Sequence, residues 1–272
     1  MKNIYRNRRG SLPKQCSIVL VKKIGAILYV TINRPEKRNA LARDVLSLLR
    51  DAFNDHRNDE ELKLAVLTGS GDKSFAAGGD LNDLYDVRTT EQTRKMSDEA
   101  YLCLEAVRQF PLPVIAVLNG DALGGGSELA IACDFRLAAA HARIGFIQGK
   151  LNITTAWGGG PDLVNLVGSR QALSLLTTSR ILKAEEAREL GLLDQVADST
   201  QSNDHLIASF TAPILEKTGT VLRGFKALSS GKREGMNRQQ LREIEVGWLV
   251  KSWTEEPHWQ AVDRFMDSRK KR

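Results

Sequence analysis

The chain has 272 residues, 42% of them hydrophobic and 26% charged, a balance typical of globular proteins and long enough to bury a core without a metal or disulfide staple. No apolar run approaches the ~18 residues of a membrane span, which argues against a membrane-spanning protein. The net charge of +6 comes from the ends: residues 1–14 carry five basic side chains and no acid, and residues 263–272 carry five basic and two acidic ones, so the body is near neutral.

In chain order, SIVLVKKIGAILYVTINRP predicts two strands, 17–22 and 26–32, joined by a tight turn at Gly25, with Pro35 in the loop beyond. Val45, Leu48, Leu49, Ala52 and Phe53 recur at helical spacing within 41–57, and LKLAVLTG at 62–69 is a short apolar strand. A helix near 93–109, a strand at 113–118, a glycine-opened helix at 124–133 and a strand at 134–139 repeat the alternation, which predicts an α/β layer architecture. Beyond about residue 160 strand signals fade, and helices are predicted over 160–168, 170–178, 184–190, 203–216, 237–254 and 257–270. The expected organisation is an α/β core over 15–200, a helical region over 201–272 and a basic arm over 1–14. Trp248 and Trp253 give the 237–254 helix more apolar surface than a solvated helix needs, which suits an interface or a core.

Cys16, Cys103 and Cys133 are widely separated and odd in number, which fits neither a disulfide framework nor a zinc site and points to a reducing cytoplasm. The N-terminal segment is basic and lacks the apolar stretch of a secretory signal. His56, His141, His205 and His258 show no ligand spacing, so no metal is expected. The serines have no nucleophile context, which argues against a hydrolase.

The stretch LGGGSELAIACDF, residues 123–135, places three glycines before a glutamate and an apolar run. A helix N-terminus presents amides without intrahelical partners, and glycine lets a ligand atom come close to them. Glu128 follows Gly125 by about one helical turn, so its carboxylate can share a face with that amide. An amide that stabilises an oxyanion, with a carboxylate moving a proton beside it, suits chemistry on a carbonyl. SFAAGGDLNDL at 74–84 repeats the strand-to-glycine design, makes a second bare amide available at Gly79 and places Asp80 as a cap.

The runs INRPEKRNAL (32–41), SFAAGGDL (74–81), NGDALGGGSELAIACDFRLAA (119–139) and GSRQALSLL (168–176), in this order and spacing, resemble the crotonase superfamily, the enoyl-CoA hydratase/isomerase proteins. The resemblance implies a spiral of ββα units with a C-terminal helical extension for trimerisation and active-site cover. It also implies a homotrimer or dimer of trimers, and an acyl-CoA thioester as substrate with no separate cofactor. Matched residue by residue, it places the two thioester-holding amides on Gly79 and Gly125. Substrate-binding positions fall on Arg38, Ala40, Ala77 and Asp80, with Trp157 walling the acyl pocket or packing beneath it. It does not choose among Arg264, Arg269 and Lys270 for contact with the CoA phosphates.

The family's hydratases carry a second catalytic carboxylate about twenty residues after the first. Glu128 matches the first position, but Gln148 stands at the second, and an amide cannot exchange a proton as a carboxylate does. The expectation is an enoyl-CoA hydratase/isomerase-family enzyme. Decarboxylation of an alkylmalonyl-CoA is the special case that needs only one acid, and the FIQGK and AWGGG segments resemble that branch. A rival of another class is a catalytically weak scaffold whose basic tails bind nucleic acid, for which Gln148 speaks and the retained glycines and Glu128 do not.

Overall fold

The computed structural model describes residues 17–198 and 202–270; the basic arm at 1–14 and Cys16 lie outside them. The chain opens with the expected hairpin, β1 (Val19–Ile24) and β2 (Ile27–Ile32), paired from Val19↔Ile32 to Ile24↔Ile27, with Gly25 in the turn at φ 56°. There follow α1 (Arg43–His56), β3 (Leu64–Gly69), β4 (Ser74–Ala76), α2 (Thr90–Arg108), β5 (Val114–Leu118), β6 (Asp121–Leu123), α3 (Gly125–Ala132), β7 (Phe135–Ala138) and β8 (Arg143–Gly145). Next come α4 (Gly159–Val167), α5 (Ser169–Thr178), β9 (Ile181–Lys183), α6 (Ala184–Glu189) and β10 (Gln195–Val196), and then α7 (Asn203–Leu215), α8 (Gly219–Arg233), α9 (Arg238–Trp253) and α10 (Glu256–Lys270).

Two sheets organise the body. The larger has the order β1-β2-β3-β5-β7-β10 and is parallel from β2 onward; the smaller has the order β4-β6-β8-β9. Each of β3, β5 and β7 is thus followed by a short strand in the second sheet, and the chain advances as a spiral of ββα units. Alternation along the central strands builds two cores. Leu28, Val30, Ala65, Leu67, Val114 and Ala116 face the α/β interior, while Ile27, Leu64, Val66, Ile115 and Val117 face the other way, onto Leu206 and Ile207 of α7. Burial on both faces explains why β5 is an unbroken apolar run.

The structure departs from the pattern-based expectation at identifiable places. In α1 the buried stripe is Val45, Leu46, Leu49, Ala52 and Phe53, and Leu48 faces outward. The strands β4, β6, β8, β9 and β10 have only two or three residues each, too few for alternation to register. The region after residue 160 is therefore not wholly helical. Helix α8 was not anticipated, because Gly219, Gly224 and Gly231 read as breakers. Two of these glycines serve packing: a Cβ on Gly224 would come within 2.9 Å of Trp248, and one on Gly231 within 2.9 Å of Met236 Sδ. Helix α9, for its part, has no buried residue, Trp248 is half-buried and Trp253 is exposed. Among the described residues no helix is long and apolar enough to cross a membrane.

Candidate active site

The small sheet brings the two glycine loops together. Strands β4 and β6 pair in parallel, Ser74 with Asp121 and Ala76 with Ala122, so both chains leave the sheet side by side. A Cβ on Gly78 would come within 3.0 Å of Leu123 O and 3.4 Å of Gly125 N. Gly79 and Gly125 flank one indole: the Trp157 Cη2 atom lies 3.6 Å from a Cβ built on the first and 2.6 Å from one built on the second. Neither amide donates a hydrogen bond within the described residues, and Gly125 is the first residue of α3, where the dipole favours negative charge.

Close packing accounts for the glycine triplet more fully than open access does. Gly124 has φ 54°, ψ −120°, a conformation that favours glycine. A Cβ on Gly125 would lie 2.2 Å from Trp157 Cζ3, and one on Gly126 would lie 2.0 Å from the carbonyl oxygen of Ala76. The glycines therefore let strand, helix and indole touch, and the bare amides result from that contact.

Glu128 is buried on the first turn of α3 at 2% exposure, and both of its carboxylate oxygens are hydrogen-bonded. Oε1 accepts from Gln148 Nε2 at 2.8 Å, and Oε2 accepts from the amides of Trp157 (3.1 Å) and Gly159 (2.9 Å). Burial pushes its pKa above the usual carboxylate range, and the Gly159 and Trp157 amides, the Gln148 amide and the Arg108 charge oppose that rise. The Gln148 amide comes from the 3-10 turn at Gln148–Leu151, and its Oε1 is buried without a hydrogen-bond partner among the described residues.

The other anticipated residues divide. The Asp80 carboxylate is bonded within the chain: Oδ2 accepts from Arg34 Nη2 at 3.0 Å and Oδ1 from Asn82 N at 3.2 Å. Burial pushes the Asp80 pKa up, but the Arg34 hydrogen bond and the Asn82 amide prevail and hold it below the usual range. Asp80 thus anchors the 77–80 loop, and residues 81–86 after it form turns rather than a helix. Ala40 holds the same arginine from the other side, its carbonyl accepting from Arg34 Nη1 at 2.8 Å. Arg38 and Ala77 line a cleft of about 550 Å³ that also presents Lys73, Arg143 and Leu123. This cleft runs past both glycine loops, since Ala77 and Leu123 immediately precede Gly78 and Gly124.

Sequence reasoning missed three structural contributors. Asn39, at φ 54°, donates from Nδ2 to the carbonyls of Ser70 and Ser74, and Asn119 braces the same loop through Gly71 O, Ser74 O and the amide of Gly69. Arg108, buried at the end of α2, bonds Trp157 O. Asn39 and Asn119 lay within the quoted runs 32–41 and 119–139 but were not singled out; Arg108 has no spacing that marks it. Cys103 and Cys133 are buried, and desolvation pushes both thiols up to about 12, so neither is a nucleophile. Among the described residues no group of three or more His, Cys, Asp or Glu side chains is placed to hold a metal.

Paired sheets advancing in ββα steps, with two glycine loops packed on one indole and a buried glutamate just after the second, define the class. The chain belongs to the enoyl-CoA hydratase/isomerase family, whose model matches residues 22–272. It is 34% identical over 249 residues to the crotonyl-CoA hydratase of Syntrophomonas wolfei, covering 90% of this chain and 92% of that one. It is 30% identical over 232 residues to the ethylmalonyl-CoA decarboxylase of Xenopus laevis, covering 85% and 77%. Among solved structures, the enoyl-CoA hydratase of Bacillus anthracis superposes with a TM-score of 0.86 at 28% identity, covering 93% of this chain and 97% of that one.

Proposed function

We propose that this protein is an acyl-CoA enzyme that forms an enolate, its oxygen held by the Gly79 and Gly125 amides, with Glu128 as the only proton carrier. The observation that carries this reading is the contact between Glu128 and Gln148: at the position of a second carboxylate stands an amide, bonded directly to the first. Two-carboxylate activation of a water is therefore disfavoured. Decarboxylation of an alkylmalonyl-CoA fits best. The bond to the carboxylate breaks, its electron pair enters the enolate, carbon dioxide departs, and Glu128 delivers its proton to the α-carbon before recovering one from solvent. Burial favours the protonated carboxyl that this step needs. No cofactor or metal enters the scheme.

The cleft beside the loops supports the same reading through Arg38 and Lys73, two cations that can meet a CoA phosphate; its third, Arg143, is paired with Asp121, and Asp72 also lines the cleft. Self-association as a trimer or dimer of trimers belongs to this reading too: Phe225, Leu249, Val250 and Trp253 are each more than half exposed on α8 and α9.

The test is a panel of enoyl-, malonyl-, methylmalonyl- and ethylmalonyl-CoA with products followed by mass spectrometry. The expected result is decarboxylation of the malonyl class, lost about 100-fold or more in Glu128→Gln. Fast hydration of a short enoyl-CoA by the parent, or full turnover by Glu128→Gln, overturns the proposal.

A further inference from the structure

Arg108 is the last residue of α2 and only 8% exposed, a depth at which a guanidinium is costly unless its donors are placed. Its donors are placed in three directions. Nε donates to Asp162 Oδ2 at 2.7 Å, Nη1 to Glu105 Oε2 at 3.3 Å, and Nη2 to the carbonyl of Trp157 at 3.0 Å. Either carboxylate would balance its charge, and Asp162 is shared with Arg233. The third bond, to a loop carbonyl, is not required for neutrality.

That carbonyl belongs to the peptide between Trp157 and Gly158, and the amides on either side of it, Trp157 N and Gly159 N, are the two that hold Glu128 Oε2. Gly158 makes the grip possible: it has φ +90°, and a Cβ there would lie 2.7 Å from Arg108 Nη2. Gly159 is as tightly placed on the other side, where a Cβ would lie 2.3 Å from Glu128 Cγ. The backbone of 157–159 is thus clamped between a guanidinium and a carboxylate, and the Trp157 indole it carries backs both Gly79 and Gly125.

We propose that Arg108 is the positioning residue of this site: by gripping the Trp157 carbonyl it fixes the two amides that aim Glu128, and it does so without touching substrate. The inference rests on the reading of Glu128 as proton carrier. A lysine would keep the charge but could not hold three acceptors in a planar fork. The charged and titratable groups facing this cluster are Tyr101 and Glu105 of α2, Glu128 of α3, Asp162 of α4, Arg233 of α8 and Glu234 just after it.

The experiment compares Arg108→Lys and Arg108→Met with the parent in the full chain, using the CoA thioester the parent turns over. In both variants kcat falls about 10- to 100-fold with a smaller change in KM, because a displaced proton carrier impairs the chemical step. The pH-profile limb set by Glu128 moves to higher pH in Arg108→Met, where the positive charge that favours the ionised carboxylate is gone, and returns toward the parent in Arg108→Lys. A parent-like kcat and an unmoved limb in both folded variants overturn the proposal. If Arg108→Met does not fold, Arg108→Lys and the charge-balanced pair Arg108→Met/Asp162→Asn decide on the same readouts. Should Glu128→Gln retain turnover, the reading of Glu128 fails instead, so the two failures are distinguishable.

Discussion

The loops at 77–80 and 124–128 offer the same feature, an unpartnered glycine amide at the end of a short parallel strand, yet they differ in how tightly they are packed. The first is tied by side chains: Arg34 bridges Asp80 and Ala40 O, and Leu41 pairs with the backbone of Gly78 and Asp80. The second is wedged as well as bonded: Gly126 sits against a carbonyl, Gly125 against an indole and all eight residues of α3 are buried, while Gly124 N and Ser127 Oγ donate to the carbonyl of Gly145. A polar clamp can be loosened one bond at a time, whereas a packed wedge has no intermediate setting.

Substitutions can break that contrast, beginning with the wedge. In Gly126→Ala the new methyl meets backbone that cannot swing aside, so the loss should exceed the roughly 1–3 kcal/mol of ordinary overpacking. Denaturant unfolding checks it; a midpoint equal to the parent's would mean that α3 and β4 can separate freely. Asp80→Asn should cost less, about 2 kcal/mol, since it weakens charge-assisted bonds to Arg34 and Asn82. The loss should be seen near neutral pH and vanish in acid, because the Asp80 contribution is present above the unfolded-state pKa and is lost as pH falls through the lowered folded value. A pH-independent difference between parent and variant would remove the ion pair from the account.

The smallest effect should carry the opposite sign. Glu128 has its pKa raised on folding, so the folded chain holds its proton where the unfolded chain has released it, and parent stability falls as pH rises through that window. Glu128→Gln should therefore gain stability relative to the parent as pH climbs, even as it loses turnover. Parallel curves across the whole pH range would contradict the assignment of a raised pKa.

The legible part of the molecule is the part in which each residue has a local reason. The hairpin turn at Gly25, the unbroken apolar β5 and the glycine-to-glutamate spacing of 125 and 128 follow from backbone geometry and period. Strand β4 was invisible because three residues carry no period, although it fixes where Gly79 ends up. Helix α8 was hidden by glycines whose purpose is contact with α9. Arg108 left no trace because its partners, Asp162 and Trp157, lie about fifty residues away and nothing in the chain announces the meeting. Asp80 was visible beside the glycines, whereas its pairing with Arg34 was not, because the two lie 46 residues apart.

The crowding around α3 has a consequence for how inherited changes in this stretch would appear in a cell. Where a single added methyl collides with main chain, a missense variant lowers the amount of folded protein before it alters any rate constant, and quality control removes much of the remainder. Variants across 124–128 would then register as scarcity, and their catalytic meaning would emerge only after specific activity is normalised to the protein that survives.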